Sequence, residues 1–542
     1  MKDLQLLNKY YADAQTQKSS IASQYSLVQD YTDVTTQENS GYTNKKTVTF
    51  REVDEVVSSS IQDLNNFLMQ SMFARGDKWA SLKINETVYK NVNGLITTND
   101  TQSKINIKDI NENLESNIDT TFTYINESNF YTEISRSLRD ALNLGTGCIK
   151  VIKQDSITKP FAYRYISTNM LYFLTNVQDE FTYTFKKICD VNKGDLLRNY
   201  SGYNNLIIPS DFQEEGYKCD IIESVRYSEE DKVYTFTVSD SGFNDKILEV
   251  ELNYNPYIIF RWNLEGDQPW GVGIGIKGLP LFKRLRDSYE LRRKQAKKIV
   301  NPPMKASGDK ALLAKLDLGD GKVNYGGEGT GMPSLNGDAD SFNIESIYTT
   351  QTLMPLDQDI AQDKADIQDL YMSNPLGNVE DYKNRSATET QARLNMMRTR
   401  WAVSFELIQE ELLEVVLKSA YIIMLEKQLI VQDIEGFEAV SMNFINELSK
   451  LKEQEKVNNI VNYIQVALNA SQYAQETGLK TDKVLKYIAD QYNIPEDLRL
   501  GADEILALEQ QKAQFRAQQL AQAQLDNQGQ QGGEEFAEQT GL

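Results

Sequence analysis

The stretch Tyr257–Met304, YIIFRWNLEGDQPWGVGIGIKGLPLFKRLRDSYELRRKQAKKIVNPPM, constrains this chain more than any other. It opens as a short apolar strand, Tyr257 to Trp262, and passes through a loop rich in Gly, Pro and Trp. It then enters a helix with a strongly basic surface. Nine lysines and arginines (277, 283, 284, 286, 292, 293, 294, 297 and 298) stand against Asp287 and Glu290, a local balance of +7 in a chain of formal net charge −21. Asn301-Pro302-Pro303 ends the helix, because a residue before proline is pushed out of the α region and proline has no amide hydrogen to donate. Pro302 and Pro303 therefore mark a boundary. Any fold must accommodate a strand, a tight loop, a basic helix and a double-proline stop in that order.

A chain of 542 residues is too long for one core and predicts about two to four domains. Its net charge of −21 argues against general coating of nucleic acid, which depends on neutralising phosphates with Lys and Arg. Any nucleic-acid role must therefore be local, or must tolerate repulsion. The absence of histidine removes His-dependent triads, His zinc sites and the usual neutral-pH acid–base group. Cys148, Cys189 and Cys219 are odd in number and widely spaced, so they read as buried small apolar residues in a reducing cytoplasm. No apolar leader follows Met1-Lys2, and no run reaches the roughly 18 apolar residues of a span; no membrane partner is expected.

Along the chain, the first thirty residues read as helical, with Leu4, Leu7, Tyr11, Ile21, Tyr25 and Val28 at broadly helical intervals. A Thr/Asn/Ser/Gly-rich link follows from Thr32 to Thr47. A second helix is predicted over Val53–Met72, then a turn and short strand through ARGDKWASLKI. The Arg75-Gly76-Asp77 triplet is too short to signal adhesion. Val92–Asn111 reads as a polar loop. A third helix over Ile118–Asn143 stops at Gly145-Thr146-Gly147, where glycine takes the left-handed cap. Cys148 to Ile152, Phe161–Ile188 and Tyr217–Thr237 read as strands, with a short helix near Asn192–Asn199.

Beyond the double proline, residues 301–349 hold eight of the thirty glycines, and short strand-like pieces such as Lys322–Tyr325 suggest a compact β-rich insertion. A helix over Leu353–Met372 follows, carrying Asp357, Asp359, Asp363, Asp366 and Asp369 against Lys364. A basic helix before the insertion and an acidic one after it predict an antiparallel hairpin. Its charge pairing is assigned to Lys283, Arg286 and Arg293 with Asp359, Asp363 and Asp366. Exposed pairs contribute only about 0–1 kcal/mol each, so they set register more than stability.

A loop, Asn374–Arg385, leads to the capping box Ser386-Ala387-Thr388-Glu389, which opens the longest predicted helix, to about Lys427. Leu394, Met397, Trp401, Phe405, Ile408, Leu412, Val415, Ser419 and Ile422 form a continuous apolar seam. Leu413, Val416, Leu417 and Ile423 add a second apolar face, which favours burial within the chain or in a ring over a two-stranded coil. Further helices are predicted over Ile445–Ala470, Asp482–Gln491 and Glu504–Asp526. The last is an Ala/Gln helix that needs neighbours to be stable. The Gln/Gly/Glu-rich end, 527–542, reads as disordered.

Gly273-Ile-Gly275-Ile-Lys-Gly278 matches the dinucleotide fingerprint G-x-G-x-x-G. The strand ends ten residues too early, Pro280 interrupts the helix start, and the insertion replaces the next strand of a βαβ unit. Close backbone packing is the better reading of these glycines. The acidic helix likewise lacks a ligand loop, so neither a metal nor another cofactor is expected.

At this point the residues carry a resemblance. The stretch from Asn255 to Met304 is similar to the signature region of head-to-tail connector, or portal, proteins of short-tailed, T7-like phages. LNLGTGCIKVI (Leu142 to Ile152) resembles that family's helix-to-strand GTG segment. SMFARGDKWASLKI resembles an early segment, and SATETQARLNMMRTRWAVSFELIQEELLEVVL resembles the long helix after its channel loop. The likeness covers roughly residues 50–430, with Trp270 where the family usually carries Tyr.

The resemblance implies an α+β, predominantly helical ring subunit with a mixed α/β wing, a helical-hairpin stem, a small β-rich clip and a helical crown. The wing is expected over 1–270, the stem helices over 271–300 and 351–373, and the clip over 301–350. The channel loop is expected over 374–386, the long helix and C-terminal wing over 387–498, and the crown over 499–526. The implied function is a conduit for double-stranded DNA during packaging and ejection, without catalysis or cofactor, at one capsid vertex of a virion assembled in the host cytoplasm. Implied partners are further copies of the chain in a ring of about twelve, double-stranded DNA, the terminase large subunit, a tail adaptor and the major capsid protein. A mostly acidic channel with sparse positive points guides DNA without trapping it; Lys383, Asn384 and Arg385 are the candidate DNA-channel residues. The alternatives are a non-viral helical scaffold that dimerises through the 394–422 seam, and a nucleotide-dependent enzyme that uses the glycine loop.

Overall fold

The computed structural model describes residues 2–33, 35–37, 48–50, 53–84, 107–200, 203, 205–209, 217–302, 304–307, 323–326, 343–346, 353–372, 400–430 and 440–444, save positions 74, 77 and 231. The residues expected to form the channel loop (374–386), the first part of the long helix (387–399), the crown (499–526) and the tail (527–542) lie outside them. The chain divides into two compact units, residues 1–80 with 117–435, and 81–116 with 436–542.

Helix α1 (Lys2–Thr32) buries Leu4, Leu7, Tyr11, Ala14, Lys18, Ile21, Tyr25, Val28 and Thr32, an unbroken alternation of three and four residues that lays one stripe against its neighbours. A ribbon of β1 (Thr35–Gln37) and β2 (Val48–Phe50) follows. Helix α2 (Glu55–Met72) is capped by Asp54, whose carboxylate accepts from Val56 N at 2.9 Å. Strand β3 (Ala80–Ile84) comes next.

The single helix predicted over Ile118–Asn143 is two, α3 (Ile107–Glu127) and α4 (Phe130–Leu144). Part of the expected 92–111 loop is thus helical. The break falls at Ser128-Asn129. Ser128 Oγ donates to Ile125 O at 2.7 Å and accepts from Phe130 N at 3.2 Å. Asn129 pairs with the backbone of Tyr163 as a strand would, accepting from its N at 2.9 Å and donating to its O at 2.7 Å. Side chains of this type compete with the helix for backbone groups, which ends α3.

Strands β4 (Thr146–Lys153) and β5 (Phe161–Tyr165) precede a 3-10 turn at Thr168–Met170. Then come β6 (Leu171–Thr175), β7 (Phe181–Val191), α5 (Lys193–Tyr200), β8 (Cys219–Ser228), β9 (Val233–Asp240), β10 (Lys246–Leu252) and β11 (Tyr257–Arg261). They form two antiparallel sheets, in orders β10-β9-β8-β7-β6 and β11-β4-β5. Leu4, Leu7, Tyr11 and Ala14 of α1 pack with Leu174, Phe185, Ile222 and Phe243 in one core on the larger sheet. Each such large aliphatic or aromatic side chain contributes about 1.5–3 kcal/mol on burial.

Lys18 sits in the middle of the α1 stripe and reaches the turn after β5. Its ammonium donates to Thr168 O, Asn169 O and Leu171 O at 2.8, 2.6 and 2.8 Å and lies over the Tyr172 ring. Burial pulls its pKa down to about 7. Of the cysteines, Cys148 is buried as expected, whereas Cys189 and Cys219 are half-buried.

Helix α6 (Ile274–Val300) runs through Pro280 instead of starting after it. The carbonyl of Ile276 then has no amide to accept from one turn on. Strands β12 (Met304–Ser307), β13 (Val323–Gly326) and β14 (Asn343–Ser346) form a sheet in the order β13-β12-β14, with β12 parallel to β13 and antiparallel to β14. Helix α7 (Met354–Tyr371) returns along α6. Residues 400–408 are helical and continue through a π-turn, Gln409–Leu413, into α8 (Glu414–Glu426). In the second unit β15 (Val440–Phe444) pairs with β3.

Candidate functional site: the charged hairpin and its footing

The hairpin is rooted where two glycine runs meet backbone to backbone. Gly145 ends α4 with φ +101, and a Cβ there would lie 2.2 Å from the carbonyl carbon of Gly271. A Cβ on Gly271 would lie 2.0 Å from Gly145 O, and Cβ atoms on Gly273 and Gly275 would lie 2.5 and 2.7 Å from Asn143 O. Gly271 N donates to Thr146 Oγ1 at 3.0 Å, and Trp262 N donates to Gly145 O at 2.8 Å. The space over the G-x-G-x-x-G loop is therefore filled by the 143–145 backbone. β11, which precedes the loop, runs antiparallel to β4. A dinucleotide site needs that space and a parallel neighbour; the loop is a packing device.

From this footing α6 and α7 pack antiparallel. Gly278 lets Leu370 approach closely, and Phe282 stacks on Tyr371. Arg284 bridges Asp363 and, at 2.7 Å, Asp366, while Arg292 pairs with Asp357. Asp363 is almost fully buried and also accepts from Ser288 Oγ at 3.3 Å. Gln362 and then Arg284 hold the Asp366 carboxyl below its ordinary value. Arg284, Ser288 and Arg292 recur every four residues, so one row of α6 faces α7.

Two buried ion clusters brace the strands that lead to the hairpin. Arg261, the last residue of β11, donates from its backbone N to Glu411 Oε2 at 2.7 Å and from Nε to Oε1 at 2.8 Å. Its guanidinium lies over the Phe181 ring. Glu411 lies within the π-turn of the long helix, so this clamp joins the strand before the hairpin to the helix after it. Burial raises the Glu411 carboxyl, against the pull of Arg261. The second cluster centres on Glu223 of β8. Its carboxylate pairs with Lys150 of β4 at 2.8 Å and Lys186 of β7 at 3.8 Å, and accepts from the hydroxyls of Tyr200, at 2.5 Å, and Tyr257. Burial alone would raise this carboxyl, but the two lysines outweigh it and hold it at about 2. This cluster stitches the three-stranded sheet to the five-stranded one.

The hairpin pairs through different cations from those expected. Asp363 and Asp366 are partners as predicted, but of Arg284, not of Lys283, Arg286 or Arg293. Those three lie on the side of α6 turned away from α7, and the guanidinium of Arg286 rests over Tyr31. Asp359 makes no ion pair with a described residue. Pro302 follows the C-cap Asn301, as the double-proline stop predicts. Pro303, Lys383, Asn384 and Arg385 lie outside the described residues. Sequence reasoning missed Arg292 and Asp357 as partners, and it missed Arg261, Glu411 and Glu223 altogether. A register check at i, i+4, i+8 from Arg284 would have found Arg292; nothing local marks Arg261, Glu411 or Glu223, whose hydrogen-bonded carboxylate, ammonium and hydroxyl partners across the fold are 23 to 150 residues away.

The 394–422 seam is used inside the chain over most of its described part, Val415 and Ile422 being half-buried. Trp401, Phe405, Ile408 and Leu412 are buried, and Trp262 packs edge-on to both Trp401 and Phe405. These side chains are not free to form a dimer seam. Among the described residues no group of three or more His, Cys, Asp or Glu is placed to hold a metal, and no helix is long and apolar enough to cross a membrane.

A strand-led, charged helical hairpin with a small sheet inserted at its far end, rooted on two facing glycine runs, defines a scaffold built around a rod. The family described as bacteriophage head to tail connecting protein matches residues 214–499, which span β11, both hairpin helices, the inserted sheet and the long helix. That match covers more than half of the chain, and the chain belongs to this family. Membership places it at the head–tail junction of a phage particle, among capsid and tail components. A search of the curated proteins gives no match.

Proposed function

We propose that the chain is the portal subunit of a short-tailed, T7-like phage, and that copies of it close into a ring through which double-stranded DNA enters during packaging and leaves during ejection. The family match across the hairpin and its inserted sheet carries this reading. In it, α6 and α7 are the stem, the sheet β13-β12-β14 is the clip, and residues 374–386 are the channel loop with Lys383, Asn384 and Arg385 toward the DNA. The terminase large subunit docks during packaging, and a tail adaptor replaces it. The chain itself works without catalysis or cofactor.

The distal half of the hairpin supports assembly. Leu291, Val300 and Met354 are 55%, 76% and 68% exposed. A lone chain leaves this apolar surface in water, and neighbouring copies would cover it. Mass photometry of the purified full chain tests the reading: closed assemblies of about twelve subunits are expected, because head-to-tail contacts close only at a fixed rotation. Monomers or two-fold dimers alone would refute it.

A further inference from the structure

The pairing seen within the hairpin accounts for Arg284 and Arg292, and leaves a second set of cations unexplained. Lys283, Arg286, Arg293 and Lys297 recur with Glu290 at intervals of three and four residues, so all five share one face of α6. That face is opposite the Arg284–Ser288–Arg292 row that meets α7. All five residues are exposed. At about 1.5 Å rise per residue the stripe runs about 21 Å along the helix. It carries a net +3 in a chain of −21.

We propose that this stripe is a contact surface for the phosphate backbone of a DNA duplex, with Lys283, Arg293 and Lys297 as its main contact points. The proposal rests on the conduit reading above and names the surface that meets the cargo. Duplex DNA offers about one negative charge per 1.7 Å of axis, so cations strung along a rod meet phosphates at many registers. A neighbouring hairpin offers far less. The outward side of α7 carries Gln358, Ala361, Gln362 and Ala365, and its carboxylate near the root, Asp369, already pairs with Arg400 at 3.8 Å. Glu290, in the middle of the stripe, keeps it weak. A few phosphate contacts interrupted by a carboxylate suit a duplex that slides and is not held.

The test measures binding of a mixed-sequence DNA duplex to the full chain across a salt series. It compares wild type, the triple variant Lys283→Gln/Arg293→Gln/Lys297→Gln, and a control with the same charge change at exposed lysines elsewhere, Lys9→Gln/Lys159→Gln/Lys193→Gln. Each lost phosphate contact lowers the slope of log K against log salt by about 0.9. The triple variant is expected to stay assembled and to lose about 2–3 from that slope, while the control keeps the wild-type value. An unchanged slope in an intact assembly overturns the proposal and leaves the ring reading standing. A triple variant that breaks into smaller species also overturns it, because the stripe is then a contact between copies. A wild-type chain that never assembles, but whose slope falls as predicted, refutes the ring and supports the phosphate surface.

Discussion

At the residue scale, the positions that matter most are those where a side chain, or its absence, has no substitute. Gly145 needs both its left-handed backbone and its missing Cβ, and the GTG spelling after a helical pattern made that legible. Glu223 was not legible, because a lone charge in a strand ordinarily points to water, and here the strand is buried on both faces around it. Only the fold brings Lys150, Lys186, Tyr200 and Tyr257 around it. Removing its charge leaves two buried lysines without a counter-ion, so Glu223→Gln is expected to destabilise the chain by about 3–5 kcal/mol at neutral pH. The pH dependence follows from the depressed carboxyl. The ordinary value is 4.5 and the folded one about 2, so the stabilisation is fully present above pH 4.5 and is lost as the pH falls toward 2. It amounts to about 3 kcal/mol. Urea unfolding at a series of pH values should show the wild-type and Glu223→Gln curves converging below pH 4.5; a constant gap would contradict the cluster.

At the element scale, the sequence revealed which elements exist better than how they meet. The stripe of α1, the basic α6, the acidic α7 and the β-rich insertion between them all follow from periodicity and composition. The pairing of α6 with α7 did not. Charge complementarity is satisfied at several rotations of a helix rich in cations, and the rotation was set instead by Gly278, Phe282 and Tyr371 packing at the root. The break between α3 and α4 was missed for a related reason, since apolar spacing continues across Ser128-Asn129 while the Asn129 side chain turns to pair with the backbone of β5. These choices separate the two faces of α6 experimentally. Arg284→Ala leaves Asp363 buried without its cation and should cost about 1–3 kcal/mol. Lys283→Ala, one residue along but on the outward face, should change stability by less than about 0.5 kcal/mol. Equal losses in thermal unfolding would mean that α6 is rotated relative to this arrangement. The π-turn is the other element no pattern announced: one extra residue in the ladder of the long helix places Glu411 against Arg261.

At the scale of the whole molecule, a chain of −21 with a basic rod inside it is consistent with a conduit that repels DNA broadly and touches it at few points. The family was legible from the order of several modest motifs, none decisive alone. The proposed ring was expected only through that resemblance, because closure depends on the rotation between copies, which no single chain encodes in a readable pattern. Imaging the assembled full chain down its symmetry axis by cryo-electron microscopy tests this account most directly. The account predicts a closed ring with the α6–α7 hairpins around an open channel and the Lys283–Lys297 face of α6 toward the axis. A closed two-fold dimer, or a ring with the hairpins on its outer rim, would contradict it.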